Sequence, residues 1–269
     1  MKNIVGSKIK TILFFSFLLS LFASMEAKAQ VNVGLDHWFN NEISSKTGQP
    51  YHYLWSDTTL NGYSRFGAIF EKQGATISEI KKPTPQELAK LNIYIIVDPD
   101  TTSENPKPNY IEKDDADAIV KWVKKGGVLI FLANDGPNCE FTHLNQLAGN
   151  FGFYFNHVTM HPVTGKNYEM GAFNNLPDHP LFKGVKKIYL KEISTFKLWG
   201  NAKPVLAENG DVFMTEVQFG KGYVLAIGDP WIYNEYMDHE RLPASFENRK
   251  AAENIVNLLI SKVPAKKKY

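Results

Sequence analysis

A single cysteine, Cys139, stands in a chain of 269 residues, so no internal disulfide framework holds this protein together. Neither charge sign dominates. Thirty Lys and Arg face 28 Asp and Glu, and part of the +2 excess sits in "MKNIVGSKIK" and in the tail "KKKY". The body is therefore near neutral, with no basic patch of the kind that nucleic acid selects. Several catalytic signatures are missing as well. There is no G-x-S-x-G between a strand and a helix, which argues against Ser-His-Asp hydrolysis. His161 and His179, in "HPVTGKNYE" and "DHP", lack an H-E-x-x-H type spacing, so no metal is expected. "KKGGV" precedes a strand instead of following one and reads as a helix cap, so no phosphate cradle or nucleotide cofactor is expected. Cys139 lies several residues past "FLAND" and is poorly placed for an elbow nucleophile, although His143 follows four residues later. No internal repeat or low-complexity linker is present.

Long hydrophobic runs are scarce too. "TILFFSFLLSLFA" is apolar for roughly 13 residues, too short for a comfortable membrane span. With the basic stretch before it and "AKA" (Ala27, Lys28, Ala29) after it, this reads as a secretion signal over 1–29. The expectation is a periplasmic or secreted protein beginning near Gln30, with no membrane attachment after cleavage. The remainder, about 240 residues, is long enough for one large α/β domain with a full core.

What is present is alternation. "VNVGLDHW", "ATISEI", "IYIIVDPD" and "VLIFLAND" read as strands. Between them, "GYSRFGAIFEKQG" places Phe66, Ile69 and Phe70 at helical spacing and stops at Gly74. "TPQELAKL" has Thr84 as N-cap, Pro85 at the first position and Glu87 three residues after the cap. "EKDDADAIVKWVKKGG" has acids in its first turn, lysines in its last, and Gly126 or Gly127 beyond. "EFTHLNQLAGNFG" is a further helix, followed by "FYFNHV". The rhythm predicts a parallel sheet with right-handed crossovers. Over 159–220 short strands joined by Gly, Pro and Asn turns predict an antiparallel extension inside a single domain spanning 30–265. "GKGYVLAIGD" then restores a buried strand, and "NRKAAENIVNLLISKV" closes the chain as a helix.

Four of the predicted strands run into acids: Asp36, then Asp98 and Asp100, then Asp135 beside Asn134, then Asp229. Open parallel sheets bind ligands beyond the carboxyl ends of their strands, near the point where strand order reverses. A flavodoxin-like order 2-1-3-4-5 would bring these acids to one edge. Asp and Asn are equally at home as turn residues and helix caps, so the structural alternative stays open for each. The loops add "DHWFNNE" with His37, Trp38 and Asn40, "YHYLWSDTT" with Trp55 and Asp57, and "DPWIYNEYMDHE" with Trp231, Tyr233 and Asn234. Aromatic faces beside carboxylates and amides suit a sugar, or another polar ligand; the alternative is an aromatic second core beneath long loops. A glycosidase would need only two carboxyls roughly 5–9.5 Å apart. Asp36 paired with Asp98 or Asp229 is the candidate. Several carboxylates on one edge repel, so some must be protonated, paired or bound to a cation; Lys166, Lys191 and Arg241 are candidate partners.

The segments "VGLDHWFNNE…YHYLWSDTTLNGYSRFGAIFEKQGA", "IYIIVDPDT", "GGVLIFLANDG", "DHPLFKGVKKIYLKEIST" and "GKGYVLAIGDPWIYNEY" together resemble a bacterial domain of the class I glutamine amidotransferase-like superfamily. That domain occurs beside, or fused to, unsaturated rhamnogalacturonyl hydrolases in glycan-degrading Bacteroidetes. The resemblance implies a three-layer flavodoxin-like α/β fold, secretion, and a pectin-type, rhamnogalacturonan-like glycan as partner. It supplies no catalytic residue. The superfamily's cysteine at a strand–helix elbow has no counterpart, because the strand over 127–135 exits into Asn134 and Asp135, so glutamine hydrolysis by that route is not expected. The expected function is a carbohydrate-binding accessory to polysaccharide degradation. Its floor would be Asp36, Asp98, Asp100, Asp135 and Asp229, and its walls His37, Trp38, Trp55, Trp231, Tyr233 and Asn234. The alternatives are a glycan hydrolase built on a carboxylate pair and a scaffold that docks a partner glycoside hydrolase.

Overall fold

The computed structural model describes residues 30–265; the signal segment expected at 1–29 lies outside the described residues. Five strands are parallel and central: β1 (Asn32–Asp36), β2 (Thr76–Ile80), β3 (Ile93–Val97), β4 (Val128–Leu132) and β11 (Gly222–Ile227). Two antiparallel strands, β9 (Lys203–Glu208) and β10 (Asp211–Phe219), complete a seven-stranded sheet in the order β2-β1-β3-β4-β11-β10-β9. Strand order reverses between β1 and β3, as expected from the sequence.

Side-chain period 2 explains why the inner strands read as unbroken apolar runs. In β3, Ile93, Ile95 and Val97 enter one core cluster while Tyr94 and Ile96 enter the other. In β4, Val128, Ile130 and Leu132 face the first and Leu129 and Phe131 the second. Helices α1 (Ser64–Lys72) and α6 (Asn248–Lys262) cover the first face with Phe66, Ile69, Phe70, Ile255 and Leu259. Helices α2 (Pro85–Leu88), α3 (Lys113–Lys124) and α4 (Phe141–Ala148) cover the second with Leu88, Ile119, Val123 and Leu144. The result is a three-layer α/β fold. Among the described residues no helix is long and apolar enough to cross a membrane.

Local signals are obeyed closely. Thr84 caps α2 by accepting from the Glu87 N–H, with Pro85 at the first position. Glu112 and Asp115 form a capping box on α3. Gly74 and Gly126 take positive φ where α1 and α3 end. Asn209 and Gly210, at φ 53 and 94, make the two-residue turn between β9 and β10. The sheet edges are blunted: β2 is short and largely exposed, and β9 carries Pro204.

The region expected as one antiparallel extension over 159–220 divides among three sheets, one of them shared with β5 from before it. β9 and β10 join the main sheet. β6 (Ala172–Phe173) pairs with β7 (Ile188–Tyr189), and β5 (Phe153–Phe155) pairs with β8 (Phe196–Leu198), as separate ribbons. β5 stays out of the main sheet because only one of its faces is apolar: Phe153 and Phe155 are buried while Tyr154 is exposed.

The exit of β11 depends on a close approach. A Cβ on Gly228 would sit 2.0 Å from the Ser194 carbonyl oxygen. Ser194 N donates to the Gly228 carbonyl at 3.0 Å and Ser194 Oγ does so at 3.2 Å. This contact fastens the 190–194 segment to the β11 exit. Gly228→Ala is expected to cost about 1–3 kcal/mol by overpacking, read as a lowered denaturant midpoint; an unchanged midpoint would show that the segment yields freely.

Candidate functional site

The topology brings the exits of β1, β3, β4 and β11 to one edge, so the acids that end these strands do gather there. All are buried: Asp36, Asp98, Asp100, Asp135 and Asp229 are 2–4% exposed. Their tasks differ.

Asp36 holds the loop after β1. Its Oδ2 accepts from the backbone N–H groups of Trp38, Phe39 and Asn40 at 3.3, 2.8 and 3.2 Å. Its Oδ1 accepts from the Tyr94 hydroxyl at 2.6 Å. Burial raises its pKa to about 6, opposed by these hydrogen bonds. Asp100 accepts from Asn41 N–H and Asn105 Nδ2 at 3.0 and 2.9 Å, and burial raises it to about 7. Asp135 accepts from Asn138 Nδ2 at 2.6 Å and from the Thr159 hydroxyl. Asp36 and Asp135 thus have both carboxyl oxygens occupied from within the chain, whereas Asp100 keeps its Oδ1 buried without a direct hydrogen bond.

Asp98 and Asp229 are different. Asp98 takes φ 38, in the left-handed region, immediately before Pro99. Its Oδ2 accepts from Asn134 Nδ2 at 2.9 Å, and the Tyr53 hydroxyl faces the same carboxyl. Its Oδ1 is buried without a direct hydrogen bond. Burial, and then the charge of Glu104, push its pKa well above the usual carboxylate range. Asp229 Oδ2 accepts from Lys191 N–H at 2.8 Å, and burial raises its pKa to about 8. Burial thus favours the protonated form of Asp229, which is able to donate as well as accept.

Beside these two lies a cavity of about 190 Å³. Asn61, Asn134 and Asn138 contribute amides, and Tyr53 and Tyr233 contribute phenols. Lys191, Glu192, Asp229 and Glu235 contribute charge or its protonated equivalent. Lys191 Nζ pairs with Glu192 at 3.1 Å. Tyr53 and Tyr233 stand edge to face, with centroids 6.0 Å apart. Among the described residues, six other than glycine have φ in the left-handed region. Tyr53 (φ 49) and Glu192 (φ 49) line the cavity, Asp98 contacts its wall through Asn134, and His52 (φ 65) is joined to Asn61 at 2.8 Å. Backbone strain concentrated at one cleft is characteristic of binding sites.

The other expected wall residues do different work. Trp231 is 1% exposed and belongs to the first core cluster. Trp55 packs against Tyr63, Phe66 and Phe70, and its Nε1 donates to the Ser78 carbonyl. The expectation that these two tryptophans form the walls is therefore corrected: their indoles are spent on covering the sheet. Asn234 is a clamp, its Nδ2 donating to Asp57 O, Thr59 O and Ser64 Oγ and its Oδ1 accepting from Arg65 N–H. Asp57 closes a turn by accepting from Thr59 N–H at 2.8 Å. Asn40 Nδ2 donates to the Asp98 carbonyl at 2.9 Å. Trp38 is half-buried against the second cluster with Lys82 Nζ over its ring at 5.6 Å, and the half-buried His37 donates its backbone N–H to Ile80 O. Of the expected residues, Asn134, Asp229 and Tyr233 line the cavity.

Cys139 is buried in the second cluster, with its thiol held well above the usual range by burial. His143 does not face it; it stacks on Tyr110 at 4.4 Å and approaches Glu140 at 3.1 Å. Among the described residues no group of three or more His, Cys, Asp or Glu side chains is placed to hold a metal ion.

Asn61, Asn138 and Glu192 were not singled out from the sequence. Asn138 had a signal, since it follows the β4 exit closely. Glu192 had none, because nothing local shows that its segment packs beside β11.

No protein-family model and no curated protein matches the sequence. Solved structures do match the fold. The mmIFT52 N-terminal domain superposes with a TM-score of 0.61 at 11% identity, over 86% of this chain and 97% of that one. A cytoplasmic protein of Salmonella typhimurium LT2 gives 0.57 at 14%, over 87% and 100%. A beta-galactosidase from Rahnella sp. R3 gives 0.51 at 11%, over 87% of this chain but 32% of the enzyme. At these identities the likeness shows a shared α/β fold.

The raised carboxyls have a consequence for stability. Asp36, Asp100 and Asp229 bind protons more tightly folded than unfolded. The folded state thus holds more protons between about pH 4 and pH 8, and stability falls as pH rises through that window. Asp229→Asn is expected to flatten the upper part of the fall, measured as denaturant midpoint against pH. A variant profile parallel to the parent's would mean that Asp229 is ionised in the fold.

Proposed function

We propose that the cavity at the carboxyl edge of the sheet recognises a hydroxylated sugar residue at or near the end of a glycan chain, and that the protein is a secreted, non-catalytic accessory to glycan degradation. The observation that carries this reading is the cavity's size and lining. At about 190 Å³ it is smaller than the roughly 300–1,000 Å³ of sites for larger organic ligands. Its amides, phenols and protonated Asp229 offer donors and acceptors in mixed order, as a ring of hydroxyls requires. The preferred ligand is an oligosaccharide of pectin type, rhamnogalacturonan-like, on the strength of the sequence resemblance. The strand order supports the finer kinship with flavodoxin-like, class I glutamine amidotransferase-like domains, and the inaccessible Cys139 argues against their glutamine chemistry. The basic and apolar leader over 1–29 supports a periplasmic or secreted setting.

A second reading is favoured by one observation. Asp229, its pKa raised by burial, is suited to protonate a glycosidic oxygen, and with Asp36 as the second carboxyl to activate water or attack the sugar the protein would be a hydrolase.

Titration calorimetry of the mature protein against pectin-derived oligosaccharides, with the same mixtures assayed for new reducing ends, separates the two. Binding without new ends is expected. Asn61→Ala and Asn138→Ala are expected to weaken it by about tenfold or more each, as loss of a hydrogen bond in a buried site does. New ends, abolished in Asp229→Asn, would replace the accessory reading with the hydrolase. Absence of any binding would remove both.

A further inference from the structure

The β5–β8 ribbon turns Phe153, Phe155 and Phe196 inward to the second core cluster and Tyr154, Lys197 and Trp199 outward. Tyr154 lies directly opposite Lys197 in the antiparallel register, and Trp199 is two residues beyond Lys197 on the same strand line. The three side chains therefore share one face. Tyr154 and Trp199, at 43% and 40% exposure, are the only aromatic members of the exposed large hydrophobic side chains among the described residues. Their rings touch in a T arrangement with centroids 4.6 Å apart.

Both rings are held in place. Tyr154 lies on Gly149, where a Cβ would come within 2.6 Å of the ring. Gly152, at φ 92, turns its carbonyl to accept from Trp199 N–H at 2.9 Å, and a Cβ there would meet Trp199 O at 2.7 Å. The polar ends remain open. Among the described residues, Tyr154 Oη, Trp199 Nε1 and Lys197 Nζ have no hydrogen-bond or ion-pair partner. The patch is two touching rings beside a cation, smaller than the contiguous apolar area by which a protein partner is usually recognised.

We infer that Tyr154, Lys197 and Trp199 form a second binding site, a surface platform for a uronate-bearing glycan chain. The C–H face of a pyranose stacks on the fixed rings, the indole N–H and phenol bond its hydroxyls, and Lys197 meets the carboxylate. The charge complementarity separates this site from the cavity. There Glu192 and Glu235 outnumber Lys191, which is itself paired, so the cavity favours a neutral residue of such a chain over its uronate. The platform is thus independent of the cavity, and either can fail alone.

The test is titration of the mature protein with polygalacturonate oligomers and, as a neutral probe, β-1,4-galactan oligomers. Trp199→Ala and Tyr154→Ala are each expected to raise the polygalacturonate Kd by about tenfold, the loss of one aromatic contact, with Tm nearly unchanged because both rings are exposed. Lys197→Ala is expected to weaken polygalacturonate binding and leave galactan binding unaltered. Asn61→Ala should not affect the polygalacturonate titration. Should Trp199→Ala unfold the protein, Lys197→Ala, on an exposed and unpaired side chain, still decides. Parent-like polygalacturonate affinity in the ring variants, or no affinity in the parent, overturns the platform even if the cavity binds sugar. So does a concentration-dependent dimer, seen by ultracentrifugation and abolished by Trp199→Ala, which would assign the face to self-association.

Discussion

Burial of the inner strands on both faces is the constraint from which the rest follows. β3 and β4 at every position, and β11 from Tyr223 onward, carry an apolar side chain into one core cluster or the other. Polar side chains are therefore admitted only where a strand ends. With β1, β3, β4 and β11 parallel, those ends coincide on one edge. The gathering of carboxyls there is a product of topology before it is a product of function.

Burial then sorts the gathered acids. Asp36, Asp100 and Asp135 are met by donors from the loops they hold, so they act as fasteners. Asp98 and Asp229 are met by donors as well, but burial holds them nearer their neutral forms. The repulsion that five carboxylates would otherwise exert is thus relieved by backbone N–H groups and by protonation, since Lys191 offers its backbone N–H to Asp229 while its ammonium turns to Glu192. A protonated acid beside amides and phenols is a suitable partner for hydroxyl groups, which need both donors and acceptors.

Much of the fold was legible because it is written locally. The cap at Thr84, the acids and lysines of α3 and the apolar runs of β3 and β4 all follow from residue spacing, whereas the strand order does not. The acids at the strand ends were legible for the same reason. The aromatic residues were not. Trp55 and Trp231 occur in loops, but a loop that folds back over a sheet face is core, and no period in sequence records that. Tyr154 and Trp199 lie 45 positions apart and become neighbours only through β5–β8 pairing. The clamp at Asn234 joins segments more than 160 residues apart and has no local signature.

The contact of Gly228 with Ser194 bears on how fast a ligand arrives. It joins the strand end that carries Asp229 to the segment that carries Lys191 and Glu192, so two walls of the cavity are one mechanical piece before anything binds. These two walls need no closing step of their own when a ligand arrives. Discrimination among ligands of such a site would then reside in dwell time.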